Sequence, residues 1–194
     1  MGQVVGVVLG AGSSRRLGRP KQTLPLGDTT VLGWTVRDAE ESSLDRIVVV
    51  VGEFPVECER AEVVRNAAYG TGCASSLLTG LDAAGDADAI VMLLGDMPGV
   101  DSAVIDSVVE EWRAAPSWAA VTMYTDGLGH PFVFSADAFE TLRGLHGDKA
   151  VWKIVDTEPP ERVRRIAVSR PLPRDIDTWE DYAAVRATLG LPSE

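Results

Sequence analysis

Lys21 closes the stretch Leu9-Gly10-Ala11-Gly12-Ser13-Ser14-Arg15-Arg16-Leu17-Gly18-Arg19-Pro20, which follows directly on the apolar run Val4 to Leu9. A buried strand that stops in Gly, Gly and Ser opens a loop whose backbone N–H groups can face a ligand, because glycine allows close approach. Arg15, Arg16, Arg19 and Lys21 put four cations beside that loop, in a chain whose net charge is −11. A bound polyphosphate is a physical reason for such a local excess of positive charge. A Walker loop would need Gly-Lys-Ser/Thr, whereas Lys21 lies between Pro20 and Gln22. A dinucleotide fingerprint would need a third glycine where Arg15 stands. On the loop alone, a strand-to-helix turn with solvated arginines explains the same residues.

Two further segments carry carboxylates in positions that suit a metal. Leu93-Leu94-Gly95-Asp96-Met97-Pro98 runs an apolar strand into Gly-Asp, and Pro98 stops the strand from continuing. Asp96 is then expected at the carboxyl end of a strand, where one carboxylate serves Mg²⁺ if phosphates supply further oxygens. The alternative use of this aspartate is to stabilise a turn. In Asp175-Ile176-Asp177-Thr178 the two carboxylates fall on one side of an extended segment, with Ile176 turned inward and Thr178 capping a helix. Compensation of the helix dipole would account for both aspartates; for Asp177 a metal role is favoured, and Asp175 is left open between the two uses.

The elements that must position these residues alternate. Val4–Leu9, Ile47–Val51 and Ala89–Leu94 read as buried parallel strands. Helices are expected over Thr30–Glu41, Ala74–Ala83 and Asp101–Ala114, the last with Val104, Ile105, Val108, Val109 and Trp112 on one stripe. Ala119–Met123, Phe132–Phe134 and Val163–Val168 are later strands, and a closing helix runs from Thr178 to about Thr188. Gly52–Ala61 is short for a crossover helix and reads as a loop with at most one helical turn. This alternation predicts an α/β chain, 1–194 as one three-layer α/β/α domain with a mostly parallel sheet. Ligands bind such sheets beyond the carboxyl ends of the strands, so the loops after Leu9 and Leu94 are expected to share one cleft.

Composition narrows the setting. The 45% hydrophobic and 24% charged residues are ordinary for a globular protein, and the acidic balance argues against nucleic acid as a partner. No apolar run approaches the roughly 20 residues of a membrane span. Cys58 and Cys73 are isolated, so a reduced cytoplasm is the expected compartment and a structural zinc site is not expected.

Taken in order, the glycine-rich loop ending in Lys21, the Gly95-Asp96-Met97-Pro98 turn and the Asp175-Ile176-Asp177-Thr178 segment resemble the nucleotidyltransferases. Within them the chain is most similar to the molybdenum cofactor cytidylyltransferase and molybdopterin-guanine dinucleotide synthase branch. The resemblance implies a Rossmann-like nucleotide-diphospho-sugar transferase fold and Mg²⁺ as cofactor. It implies nucleotide binding by Leu9, Gly10, Ala11, Gly12, Ser13, Arg15, Lys21, Asn66, Ser76 and Asp96, with Arg15, Lys21 and Asp96 catalytic. Asp96 and Asp177 would hold the metal, and Gly129-His130-Pro131 and Leu145-His146-Gly147-Asp148 resemble the acceptor side, where His130 and Pro131 are the binding candidates. A lone histidine such as His130 also suits a structural role. The position of Ala11 is Ala in the cytidine-using branch and Gly in the guanosine-using branch, which favours CTP. Molybdopterin is the implied acceptor, with a molybdoenzyme or its chaperone as partner. A sugar-phosphate acceptor, or a nucleotide- or pterin-binding module without turnover, is the alternative. The chain departs from the family in Gly10 for alanine, and in Thr125-Asp126-Gly127-Leu128 where an arginine often precedes Gly-His-Pro.

Overall fold

The structure is a computed structural model that describes residues 2–12, 17–147 and 150–192. Its sheet begins with β1 (Val4–Gly10), a β-branched run buried at every position. β1 lies between β4 (Arg46–Val51) and β6 (Ala89–Leu94), parallel to both. Runs of Val and Ile suit this place because both faces of a central parallel strand are covered. Before β4 come a hairpin of β2 (Pro25–Leu26) and β3 (Thr29–Thr30) and the helix α1 (Val31–Glu41), capped by the Thr30 hydroxyl accepting from the Gly33 N–H at 3.1 Å.

β5 (Glu62–Arg65) extends the sheet parallel to β4, and the ten residues between them hold no helix. The sequence reading has a loop over Gly52–Ala61 and misses the strand after it. Glu62-Val63-Val64-Arg65 is a short edge strand with polar ends, so it lacks the apolar run that marks β1. On the other side, β8 (Gly127–Ser135) is antiparallel to β6 and to β7 (Ala119–Tyr124), and β9 (Val163–Ala167) runs parallel to β7. The sheet order is β5-β4-β1-β6-β8-β7-β9. β8 is far longer than the three-residue strand expected at Phe132–Phe134, because its pairing with β7 continues through Gly127 across a bulge.

Helices cover both faces. α1 and α3 (Ser102–Ala114) share one core with the Val4, Val8, Val49 and Val91 side of the sheet. The five apolar residues predicted as a stripe on α3 are its buried residues, and Asp101 caps it by accepting from the Val104 N–H at 3.0 Å. The opposite core joins Val5, Val7, Ile90 and Phe132 to α2 (Cys73–Ala84), α4 (Phe139–Arg143) and α5 (Ala150–Thr157). A third, smaller cluster packs Leu17, Leu24, Leu26 and Val31 against Ile176 and against Tyr182 and Val185 of α6 (Trp179–Thr188). This last contact brings the segment around Lys21 to residues more than 150 positions later. Among the described residues, no helix is long and apolar enough to cross a membrane.

Candidate active site

Three polar groups converge beyond the carboxyl ends of β1 and β6. The Lys21 ammonium pairs with Asp96 and, at 2.8 Å, with Asp177. Each partner arrives by its own device. Lys21 opens a single 3₁₀ turn over Lys21–Thr23, and Leu24, the next residue, is buried in the third core. Asp96 follows β6 in a turn closed by the Met97 N–H donating to the Leu94 carbonyl at 3.1 Å. The Ile176 N–H donates to the Asp96 carbonyl at 3.0 Å, and the Ile176 side chain is buried, so Asp177 is laid beside Asp96 as the alternation requires. A capping box between Thr178 and Asp181 then starts α6.

Charge dominates the electrostatics of this cluster. Burial works against the Lys21 ammonium, yet Asp96 and Asp177 outweigh it and hold its pKa above the ordinary lysine value. Asp175 is driven the other way: lost hydration first, then the carboxylates of Asp96 and Asp177, raise its pKa above the usual carboxylate range. A second cation near these three aspartates would relieve the same repulsion.

Beside the cluster lies a cavity of about 460 Å³. One wall is Gly10, Ala11 and Gly12 with Gly18, Arg19, Pro20 and Gln22; the other is Gly52, Glu53, Phe54 and Tyr69. Glycine lets the two turns pack closely. A Cβ on Gly10 would sit 2.7 Å and 2.8 Å from the two Leu32 methyls, and one on Gly95 would sit 3.1 Å from the Leu9 carbonyl oxygen and 3.2 Å from the Gly10 Cα. The loops after β1 and β6 therefore touch, and the Gly95 N–H donates to the Leu9 carbonyl at 3.0 Å. The wall formed by Gly52–Phe54 and Tyr69 escapes sequence reasoning; its one signal is that Gly52 follows a strand neighbouring β1. Tyr69 packs so closely over Gly52 that a Cβ there would lie 2.9 Å from its ring.

Other expected site residues are placed differently. Ser13 and Arg15, with Ser14, Arg16 and Asp148, lie outside the described residues. Leu9 is the last apolar residue of β1 and is nearly buried. Asn66 and Ser76 meet each other away from the cavity wall: the Asn66 amide donates to Ser75 Oγ at 2.9 Å and Ser76 Oγ at 3.1 Å and accepts from the Ala68 N–H at 2.8 Å. Both side chains hold the start of α2 against the loop before it. His130 and Pro131 are buried within β8. The His130 ring stands edge-on to Phe132 and Trp152, at centroid distances of 4.4 Å and 6.3 Å, and burial pushes its pKa down to about 4. Those surroundings are those of a structural histidine, the other use the sequence allowed.

The donors present fit a hard divalent cation. Asp96 and Asp177 both present a carboxylate oxygen to the Lys21 ammonium with Asp175 nearby, and among the described residues no group of three or more His, Cys, Asp or Glu is preassembled around a metal. Mg²⁺ and Mn²⁺ suit two carboxylates completed by phosphate oxygens better than a closed protein cage.

A mixed, mostly parallel sheet with a glycine turn, a cavity and an ammonium–carboxylate cluster at its carboxyl edge defines a nucleotide-handling α/β protein. Residues 6–163 match the MobA-like NTP transferase domain, and the chain belongs to that family of nucleotidyltransferases. It is 29% identical to the purine catabolism protein PucB of Bacillus subtilis, over 96% of this chain and 97% of that one. It is 31% identical to a probable molybdenum cofactor guanylyltransferase of Mycobacterium tuberculosis, over 87% of each. Among solved structures, the Mycobacterium sp. strain JC1 homologue of Rv0371c superposes with a TM-score of 0.86 at 40% identity, covering 96% of both chains. Rv0371c of Mycobacterium tuberculosis, solved in complex with manganese, superposes at 0.79 with 36% identity, covering 96% of this chain and 99% of that one.

Proposed function

We propose that this chain, acting as one domain over residues 1–194, transfers a nucleoside monophosphate from an NTP to molybdopterin or a closely related phosphorylated acceptor. CMP is the favoured group and GMP the second. The observation that carries the reading is the Lys21 ammonium held between Asp96 and Asp177, its chain neighbours Pro20 and Gln22 lining a glycine-walled cavity. Support for the acceptor comes from the relative named for molybdenum cofactor guanylylation. Support for CTP is the methyl of Ala11 in the cavity wall.

An acceptor phosphate oxygen attacks the α-phosphorus, the bond to the bridging oxygen of the β-phosphate breaks, and pyrophosphate departs. The nucleophile is already anionic at neutral pH, so no protein base is required. Lys21 stabilises the charge that builds on the α-phosphate and the leaving group, assisted by Arg15 and by Arg19 in the cavity wall. Asp96 and Asp177 would hold Mg²⁺, and the similar Rv0371c was solved in complex with manganese, another hard divalent cation. The bound metal would supply Lewis-acid neutralisation of phosphate oxygens. The Gly10–Gly12 backbone lines the triphosphate. The setting is the cytoplasm, with a molybdoenzyme or its chaperone receiving the product.

Pyrophosphate release measured for four NTPs against molybdopterin and a set of sugar phosphates tests this reading. CTP with molybdopterin is expected to be fastest. Faster turnover with a sugar phosphate would reassign the acceptor, and no release with any pair would remove catalysis.

A further inference from the structure

Gln22 is buried, with 5% of its surface exposed, yet it forms part of the cavity wall. A buried amide needs hydrogen-bond partners. One partner is on the opposite strand of the loop: Gln22 Nε2 donates to the Gly12 carbonyl oxygen at 2.7 Å. Gly12 lies just past the end of β1, where the ladder to β4 stops at Gly10 and Val51, so its carbonyl has no sheet partner to set its direction. The fit around the bond is tight. A Cβ on Gly12 would stand 3.1 Å from Gln22 Nε2 and 3.9 Å from Lys21 Cε.

Gln22 is itself rigidly held. Its turn is closed by the Thr23 and Leu24 N–H groups donating to the Pro20 and Lys21 carbonyls, each at 3.2 Å, and by the Thr23 hydroxyl donating to Pro20 at 3.0 Å. Leu24 anchors the turn in the third core. One side chain thus connects a turn fixed by packing to the backbone just past the end of β1, where the sheet ladder has stopped.

We propose that Gln22 is a positioning residue for nucleotide binding: its amide ties the Gly10–Gly12 loop to the turn that carries Lys21, holding loop backbone and ammonium at a set separation around the triphosphate. The inference rests on the reading that this cavity takes a nucleotide. The physical basis has two parts. Glycine has the largest conformational freedom to lose on ordering, so an untethered loop must be organised by the ligand at the expense of affinity. A carbonyl released from its donor can also turn its negative end toward phosphate oxygens, which repels them.

Two near-isosteric variants separate these effects. Gln22→Met keeps the length and removes the donor; Gln22→Glu sets a carboxylate against the Gly12 carbonyl. Calorimetric titration of the folded proteins with α,β-methylene CTP and Mn²⁺, repeated with the GTP analogue, is the measurement. About tenfold weaker binding is expected for Gln22→Met and a larger loss for Gln22→Glu. In turnover, KM for the NTP rises by a similar factor while kcat at saturation moves less than about threefold, the pattern of lost uniform binding. A residue that only supports the fold would instead lower the thermal midpoint and leave the Kd of the folded fraction unchanged, and that result overturns the inference. If Gln22→Met does not fold, Gln22→Glu is read by the same criteria. Wild-type protein that binds neither analogue overturns the nucleotide reading, and this inference with it. Wild-type binding alongside an unchanged Kd in the variants overturns the inference alone.

Discussion

At one edge of the sheet, two neighbouring regions treat polar residues in opposite ways. Beyond β1 and β6 the chain turns through Gly10 and Gly95, and an ammonium and two carboxylates converge beside an open cavity. Next to them, on antiparallel β8, His130 is the polar residue nearest the same edge, and it is sealed among Phe132 and Trp152 with its ring pressed toward neutrality. The difference follows from what comes next in the chain. After β6 a short glycine turn leaves Asp96 at the surface of the cleft, whereas β8 continues inward and α5 closes over it. Residue type alone therefore marks candidates in both regions, and topology decides which of them meet a substrate.

The hardest test of the open region is Lys21→Ala. Pyrophosphate release is expected to fall about 10²–10³-fold, the range for removing a preorganised charge at a developing anion. Turnover within threefold of wild type would move the chemistry elsewhere.

The sealed region is tested by pH. Neutral His130 is favoured in the folded protein, whose pKa for this ring is about 4 against 6.5 for an unperturbed histidine. The unfolded chain binds the extra proton, so this stability is fully present above pH 6.5 and drains away as pH falls toward 4, at up to about 1.4 kcal/mol per unit. Urea unfolding of wild type and His130→Leu across that window checks the slope. Wild type must lose ground to the variant as the solution is acidified, and parallel curves would mean that His130 titrates freely.

Contact between the loops of the open region is sharpened by Gly95→Ala. Its new methyl meets backbone at Leu9 and Gly10, so a loss of about 1–3 kcal/mol is expected in urea unfolding. An unchanged midpoint would mean that the two loops stand apart.

Another effect comes from outside both regions. Asp38 on α1 has its carboxyl pushed up to about 7, by burial first and then by Asp101 and Glu41, and its Oδ2 is buried with no hydrogen-bond partner among the described residues. The folded state holds that proton more tightly, so wild type loses stability as pH rises from 4 to 7. Asp38→Asn should then melt higher than wild type above pH 7, with the gap closing near pH 4. A gap that is independent of pH would assign the effect to packing instead.

Much of the framework was legible because it depends on local pattern. The β-branched runs of β1, β4 and β6 and the five-residue stripe of α3 each announce burial within a few residues. The meeting of Lys21 with Asp96 was legible too, since both follow neighbouring parallel strands. What stayed hidden depends on distant packing. β5 has polar ends and draws its place from β4. Nothing near His130 in the sequence shows that Trp152 will cover it. Gln22 looks like any polar neighbour of a lysine until its bond to Gly12 is seen, and Glu53, Phe54 and Tyr69 become a cavity wall only once β4 lies beside β1.

The most direct test is Mn²⁺ binding in the presence of a non-hydrolysable NTP, followed by electron paramagnetic resonance in wild type, Asp96→Asn and Asp177→Asn. One nucleotide-dependent ion should bind to wild type, and each substitution should weaken it at least about tenfold, as loss of one of two carboxylate ligands requires. Equal Mn²⁺ affinity in all three proteins would contradict a metal held between these aspartates beside Lys21.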